Sequence, residues 1–293
     1  SGGGELGGLI RAFDWSGTPL GAPDTWPQSL KVALRIMLNS SQPIWIGWGK
    51  QLIYFYNDPY KSIIGGKHEW ALGRPIKDVW GEIWSDIEPM LDMAMSGGRG
   101  TYVEEQLLVM ERNGYAEETY YTFSYSPIPN DDGGAGGIIC ANTDDTPRVI
   151  GERQLALLRD LAADATRART WQEVCARSAQ ALGTNARDLP FAMIYMADDI
   201  GASTLELASM SGVERGHRAA PHSIAADDAS IWPVGEVLRT RKPVLVPDLR
   251  ERIGVAFPSG PWDEPPAQAA LLPIVPGAET GRAGVLVVGL NPY

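Results

Sequence analysis

The sequence predicts an α+β protein of two domains in series, each a mainly antiparallel sheet with flanking helices, joined by a helical linker. Three observations lead to this prediction. The chain has 293 residues, 44% of them hydrophobic, which is enough for two domains that each bury a core. Strand-like alternation and helical spacing both occur in each half of the chain. A helical pattern without strand signals, residues 147–169, separates the halves.

The first domain is predicted at residues 40–146 and begins with two aromatic strands. They lie within Ser40–Tyr56 and are joined at a glycine turn, Gly47–Gly49. Asp58 is a good N-cap and the proline after it a good first helical residue. We therefore expect a short helix that stops at Gly65-Gly66.

A longer helix is predicted at Asp78–Met95, with Pro89 as the site of a kink and Gly97-Gly98 as its end. Its apolar residues recur every four positions: Val79, Ile83, Ile87, Leu91 and Met95. Such a stripe indicates one buried helical face.

Three antiparallel strands are predicted to complete the first domain. The first two, Tyr102–Glu111 and Tyr115–Ile128, flank Asn113-Gly114, a dipeptide that suits a two-residue hairpin turn. The third strand is Gly136–Asn142. The order of strands and helices favours a sheet with helices packed on one face.

Two segments flank this domain. Residues 5–39 are too short to form a domain and are interpreted as an N-terminal cap over one face of the sheet. In the linker, Thr146 is a candidate N-cap and begins a helix with a stripe of small and apolar residues: Leu155, Leu158, Ala162 and Ala165. The stripe suits a partner helix in a homodimer, or it packs on the chain's own domains; two heptads favour neither.

The second domain is predicted at residues 170–293. It opens with a capping box, Thr170–Glu173, whose helix is expected to bury Trp171, Val174, Ser178 and Leu182, with Cys175 beside them. A second helix is expected near Trp232–Arg239. The predicted strands are Pro190–Met196, Thr204–Met210, Val244–Val246, Ala269–Val275 and Gly284–Gly289. We expect five or six strands with helices on one face and loops on the other.

Charge and composition bear on partners and compartment. Residues 1–146 hold 10 Lys and Arg against 19 Asp and Glu, a net charge of −9 of the chain's −11. An acidic half disfavours nucleic acid and anionic membranes as partners. The sequence shows no signal peptide and no apolar run of about 20 residues, so we expect a cytoplasmic protein. Its two cysteines favour no disulfide framework.

A family resemblance lies in short motifs spread over nearly the whole chain. The motifs are Trp26-Pro27-Gln28-Ser29-Leu30, Tyr56-Asn57-Asp58-Pro59-Tyr60, Gly66-Lys67-His68, Ala71-Leu72-Gly73-Arg74-Pro75, Arg112-Asn113-Gly114-Tyr115, Leu158-Arg159-Asp160-Leu161-Ala162, Leu189-Pro190-Phe191-Ala192 and Gly284-Val285-Leu286-Val287-Val288-Gly289. The first half resembles the N-terminal PAS domain of a class of bacterial sensor histidine kinases. The second half is similar to the GAF domain that follows it in that class.

The resemblance implies a signal-input role. In that class a histidine-containing dimerisation helix and a kinase domain follow, and they would be the effector of the full-length protein. This sequence contains neither the phosphoacceptor box nor the nucleotide-lid motif of such kinases, so we expect no enzymatic activity from the chain itself. The stimulus would reach the effector through the linker helix.

A ligand cavity is predicted between the first sheet and its helices. Its candidate residues are Trp45, Tyr54, Tyr56, His68, Trp80, Trp84, Tyr121, Tyr125 and Cys140. Aromatic walls with phenol groups suit a planar small molecule, and the two cofactors considered are haem, with His68 as axial ligand, and flavin. The same rings equally suit a packed sheet core. Motifs for a covalent flavin or bilin are absent, and His217 and His222 are interpreted as solvated loop histidines.

Two functions therefore remain. One is a sensory fragment of a histidine kinase that binds a small molecule and relays the signal to a C-terminal effector. The alternative is a structural tandem for dimerisation and protein interaction, whose cavities are filled by side chains.

Overall fold

The structure is a computed structural model that describes residues 3–96, 99–165, 168–198, 202–275 and 282–293. The chain divides into two compact units, residues 1–150 and 151–292. Each unit contains one antiparallel sheet with flanking helices, which confirms the predicted fold class. No helix of the described ranges is long and apolar enough to cross a bilayer.

The first unit is built on a five-stranded sheet in the order β2-β1-β5-β4-β3. Its strands are β1 (Ile44–Trp48), β2 (Ile53–Tyr56), β3 (Thr101–Met110), β4 (Glu117–Pro129) and β5 (Ala135–Asp144). All described pairings are antiparallel. The sheet therefore presents alternate side chains to two faces.

Two predicted turns are wrong in detail. Gly47 is not a turn residue, because it lies inside β1 and pairs with Tyr54. The β3–β4 connection is not a two-residue hairpin, because Met110 pairs with Glu117 and leaves residues 111–116 as the loop. Gly114 lies in that loop with a φ of 85°.

The helices of the first unit are α1 (Gly4–Ala12), α2 (Gln28–Asn39), α3 (Lys61–Ile64), α4 (Ile76–Val79) and α5 (Trp84–Met95). The continuous helix predicted at Asp78–Met95 is wrong, since α4 ends before Trp80 and a 3-10 turn, Gly81–Ile83, precedes α5. The backbone of Trp80 breaks the helix at φ −119° and ψ 41°. The predicted stop at Gly97-Gly98 lies outside the described residues.

The N-terminal segment covers the outer face of this sheet. Leu30 and Met37 of α2 are fully buried in one apolar cluster with Ile46 of β1. Trp15 stacks on Phe55 of β2 with 4.8 Å between ring centroids. These contacts place the opposite face of the sheet against α3, α4 and α5.

Asp58 caps a different helix from the predicted one. Its carboxylate accepts the backbone N–H groups of Glu5 and Leu6, at 3.0 and 2.8 Å, in the first turn of α1. A 3-10 turn, Asp58–Tyr60, leads into α3 without a side-chain cap. The predicted cap of the following helix is therefore wrong, because the carboxylate satisfies amides that are remote in sequence.

The second unit has a six-stranded sheet in the order β8-β7-β6-β11-β10-β9. Its strands are β6 (Ala192–Ala197), β7 (Thr204–Ser211), β8 (Ser223–Ala225), β9 (Val244–Val246), β10 (Ala269–Ile274) and β11 (Gly284–Gly289). The helices after the unit boundary are α7 (Trp171–Gly183), α8 (Val234–Thr240) and α9 (Leu249–Ile253), and α6 (Thr146–Ala165) crosses that boundary. The sequence did not predict β8 or α9.

Helices flank both faces of the second sheet, so the predicted loop face is wrong. On one face, Cys175 and Ala179 of α7 pack against Ile194 of β6. On the other, α8 and α9 pack with Tyr195 of β6. Thr170 caps α7 as predicted, accepting the N–H of Glu173 at 3.2 Å.

The buried face of α7 is turned by about one residue from the predicted one. Cys175, Ala179 and Leu182 are buried, whereas Val174 is 36% exposed. The helical spacing of the buried residues was therefore predicted correctly, but the buried face runs through Cys175 and Ala179 and not through Val174 and Ser178.

Candidate functional site

The aromatic side chains proposed from sequence meet on the inner face of the first sheet. Trp45, Tyr54, Tyr56, Tyr121, Tyr125 and Cys140 are all buried in one core cluster with Trp80. The Trp45 ring lies 5.5 Å from that of Tyr54 and 5.6 Å from that of Tyr125. Alternation along the strands brings them together, because every second side chain of a strand faces the same side.

The space left between these rings is very small. A cavity of about 30 Å³ remains, bounded on the sheet side by Trp45 and Tyr125 and on the helix side by Ile83 and Ile87. That volume is roughly the share of one water molecule in the liquid, whereas cofactor sites measure about 300–1,000 Å³. In this arrangement the side chains themselves occupy the predicted ligand space.

Two polar groups inside the cluster bond to each other. The Trp80 indole donates to the Tyr54 hydroxyl at 3.1 Å, and the Tyr60 ring centroid lies 6.2 Å from that of Tyr54. Burial raises the pKa of Tyr54, Tyr60 and Tyr125, and burial raises the pKa of the Cys140 thiol. All four groups are therefore neutral at physiological pH.

His68 lies at the edge of the cluster, and both of its ring nitrogens have partners. Nδ1 is 2.9 Å from the Tyr56 hydroxyl, and Nε2 is 3.2 Å from a carboxylate oxygen of Glu5 on α1. Lys61 bonds the other Glu5 oxygen at 2.5 Å, and this hydrogen bond lowers the pKa of Glu5. Axial ligation by His68 would require one of these bonds to break.

Only four of the nine candidates line the cavity: Trp45, Trp80, Tyr121 and Tyr125. Trp84 lies outside it, as do His68, Tyr54, Tyr56 and Cys140. Trp84 starts α5 and packs on the margin of the cluster, where its buried indole N–H has no hydrogen-bond partner among the described residues. The Nζ atom of Lys77 lies 5.4 Å from its ring centroid. Its role in a ligand site stays a prediction.

A buried lysine closes one end of the cluster, and sequence reasoning missed it. Lys67 is only 8% exposed, and its Nζ atom donates to the Val79 carbonyl at 2.7 Å and to Glu82 at 2.6 Å. The same atom lies 4.3 Å from the Trp80 ring centroid. Glu82 in turn accepts the N–H of Glu111 at 3.0 Å, so the pair ties the helices to the sheet. Only the lysine's place in a Gly-Gly-Lys-His loop could have drawn attention to it.

The start of α6 is hydrogen-bonded to strand β4. The Thr146 hydroxyl accepts the backbone N–H of Tyr120 at 2.9 Å, and the Thr122 hydroxyl donates to Asp145 at 2.6 Å. Thr146 is thus not the N-cap that the sequence predicted, because the Val149 N–H bonds the carbonyl of Asp145. The predicted cap residue instead fastens the helix to the sheet.

A bulge in β3 adds a third connection. The register shifts between Val103 and Gln106, and Glu105 there has a φ of 50°, which is unusual for a residue with a side chain. Its carboxylate pairs with Arg148 of α6 at 2.6 Å, and Arg148 also bonds Asp145 at 3.2 Å. The strained backbone therefore aims a charge at the helix start.

No cluster of three His, Cys, Asp or Glu side chains that could hold a metal ion occurs within the described ranges.

Comparison with known protein families and with curated proteins finds no match for this sequence. Solved structures do match. A sensory box sensor histidine kinase from Vibrio cholerae is 15% identical, with 40% of this chain and 89% of that chain covered and a TM-score of 0.28. The PAS domain of a Colwellia psychrerythraea protein is 16% identical over 40% of this chain and 98% of that chain, with a TM-score of 0.33. The GAF domain of an Acinetobacter phosphoenolpyruvate-protein phosphotransferase is 17% identical over 47% and 77%, with a TM-score of 0.35.

Proposed function

We propose that this chain is the cytoplasmic signal-input part of a sensor histidine kinase, in which the packing of the first unit's core sets the position of helix α6. The observation that carries this proposal is the hydrogen-bonded junction of Thr146, Asp145 and Arg148 with the sheet. The effector would be a kinase domain of the full-length protein, and this chain would have no enzymatic activity of its own. The resemblance of its motifs to that class supports the assignment.

Alternation along β4 supplies the route from the core to the helix. Tyr121 faces the core cluster, while its neighbours Tyr120 and Thr122 bond the start of α6. A change in packing at Tyr121 therefore displaces two residues that hold the helix. Arg112 donates to the Tyr121 hydroxyl at 2.9 Å and pairs with Glu117, which keeps this part of β4 in one arrangement until the core changes.

A test compares two equal losses of one methyl group on opposite faces of the first sheet. Ile87→Val alters the core cluster, and Ile46→Val alters the outer cluster under α2. We expect Ile87→Val to raise hydrogen exchange in residues 147–156 and Ile46→Val to leave it unchanged. In a Thr122→Val, Thr146→Val, Arg148→Gln background, which removes the three side-chain connections of α6 to the sheet described above, the effect of Ile87→Val should disappear. Equal effects of the two valine variants, or an effect that survives in this background, would contradict the relay.

The second candidate, a structural tandem without a small-molecule ligand, is favoured by the 30 Å³ cavity. A haem or flavin bound there would demand displacement of several rings. Two measurements on the purified protein distinguish a ligand sensor from a structural tandem. They are the absorbance between about 350 and 450 nm and the intact mass under native conditions. A bound chromophore or metabolite supports a ligand sensor, and the mass of the bare chain supports the tandem.

Both candidate functions include a homodimer that forms through helix α6. On α6, Leu155 and Leu158 are 68% and 62% exposed. Ala162 is exposed as well, and the side chain of Ala165 lies outside the described part of the chain. Their heptad-like spacing suits the same helix of a second copy.

A further inference from the structure

The second unit carries an open pocket of about 790 Å³ at the outer edge of its sheet. Strand β8 pairs with β7 only over Thr204–Glu206, so the rest of β7 has no outer strand neighbour in the described part of the chain. The pocket lies at this free edge, between Ala176 of α7 and the loop of residues 213–222.

The loop is held in place by donors from the core of the second unit. The Tyr195 hydroxyl donates to the Pro221 carbonyl at 3.0 Å, and the Trp232 indole donates to the Ala219 carbonyl at 2.7 Å. Both donor side chains come from residues with no exposed surface. The N–H of Leu207 bonds the carbonyl of His222 at 2.8 Å. The pocket wall is therefore preorganised.

His217 belongs to this framework. Its Nε2 atom lies 3.1 Å from the Ala256 carbonyl and can bond it only as a donor, while Nδ1 accepts the N–H of Ala219 at 3.2 Å. Those roles define the neutral tautomer with the proton on Nε2. His217 shapes the loop, and the groups left to meet a ligand are Arg215, Arg218 and His222.

These groups give the pocket one sign of charge. Among the described residues that line it, none is acidic, in a chain whose net charge is −11. Arg215 and Arg218 are exposed and make no ion pair or side-chain hydrogen bond with the described residues. The rest of the wall includes apolar side chains, among them Leu207, Met210 and Val213.

We propose that this pocket binds a small organic phosphate, with the phosphate on Arg215 and Arg218 and an apolar group on Leu207, Met210 and Val213. A carboxylate is satisfied by the fork of one guanidinium, whereas a phosphate dianion has the charge and the oxygens to engage two. The apolar lining indicates a ligand larger than the inorganic ion. This site is separate from the aromatic cluster of the first unit and independent of the proposed relay.

The test uses the full chain and phenyl phosphate as the probe, measured by titration calorimetry at low salt. We expect saturable binding at one site, and at least about tenfold weaker binding of inorganic phosphate, which lacks the apolar group. An Arg215→Gln, Arg218→Gln variant should bind phenyl phosphate at least about tenfold more weakly. Arg239→Gln, Arg250→Gln is the matched control, because it removes the same charge at exposed arginines outside the pocket.

Four outcomes would overturn the proposal. They are no binding of phenyl phosphate at about 10 mM, equal losses in the two double variants, inorganic phosphate binding as tightly as phenyl phosphate, and benzoate binding as tightly as phenyl phosphate. All four substitutions are at exposed positions, so the variants should keep the circular dichroism spectrum of the parent. Because the readout is binding alone, its failure leaves the α6 experiment unaffected.

Discussion

Asn57 and Asp58 show how two adjacent polar side chains can each hold a different part of a fold. Asn57 is 1% exposed; its amide donates to the carbonyls of Gln42 and Met37 at 2.7 and 3.0 Å and accepts the N–H of Ile44 at 3.0 Å. It thus fixes the end of α2 to the start of β1. Asp58 next to it caps α1.

Replacing Asn57 by alanine should therefore be strongly destabilising. The variant removes the partner of the buried Ile44 N–H and of the Gln42 carbonyl, while the Met37 carbonyl keeps only the Ser40 N–H. We expect the free energy of unfolding to fall by about 3 kcal/mol. Urea denaturation followed by circular dichroism measures it. The control is Asn39→Ala, whose exposed side chain bonds, among the described residues, only the Arg35 carbonyl of its own helix. A loss at Asn57 no larger than at Asn39 would contradict this role.

The contacts of Asp131 should make the stability of the fold depend on pH. Its carboxylate accepts the N–H groups of Ser29 and Gln28 at the start of α2, and these bonds lower its pKa from the ordinary 3.8. A lowered pKa in the folded state stabilises the fold above 3.8, and this stabilisation is lost as the pH falls through the lowered value. The midpoint of thermal unfolding of Asp131→Asn should thus be lower than that of the parent at pH 7. The two midpoints should become equal in strong acid.

The neighbouring Asp132 supplies the control for that experiment. It makes no hydrogen bond with the described residues, so Asp132→Asn should leave the pH profile unchanged. A difference for Asp131→Asn that persists undiminished in strong acid would show that the side chain acts through something other than its charge.

At the scale of elements, continuous local patterns were predictable and tertiary ones were not. Strand β11 was predicted at its observed bounds, because six apolar or glycine residues lie between clear breaks. The helix break at Trp80 was missed, since the apolar period runs on through Ile83 while the backbone there leaves the helix. The five-residue α9 depends on burial of Leu249 and Ile253, which no local pattern indicates.

The candidate site divides in the same way. Strand alternation is local, so the clustering of Trp45, Tyr54 and Tyr125 could be expected from the sequence. The volume left between the rings depends on how α4 and α5 pack, and it could not be predicted from the sequence. The same holds for the junction of Thr146 with Tyr120, which joins residues 26 positions apart.

Dimerisation through helix α6 can be tested at its two exposed leucines. Replacing Leu155 and Leu158 by glutamate introduces charges into the proposed seam with a second copy, and should shift sedimentation from dimer to monomer with an unchanged circular dichroism spectrum. Both residues are exposed, so the monomer should still fold. The control, Ala163→Glu, introduces a charge at an exposed residue of the same helix that lies away from the leucine stripe. Dimers that persist in the leucine variant would contradict a seam at α6.

At the scale of the whole molecule, the two units have separate hydrophobic cores. The clusters built around Tyr54 and Leu30 contain only residues of the first unit, and those built around Tyr195, Cys175 and Leu182 only residues of the second. Each sheet has helices on both faces, so each unit has the layers a domain needs to bury its own core.

Separate cores predict separate unfolding. Scanning calorimetry should resolve two transitions, and Asn57→Ala should lower the midpoint of one, while Val237→Ala, a fully buried residue of the second unit, should lower the other. The relay through α6 requires only a coupling of about 1–3 kcal/mol, which is too small to merge the transitions. A single transition that both variants shift equally would show that the units fold as one cooperative body.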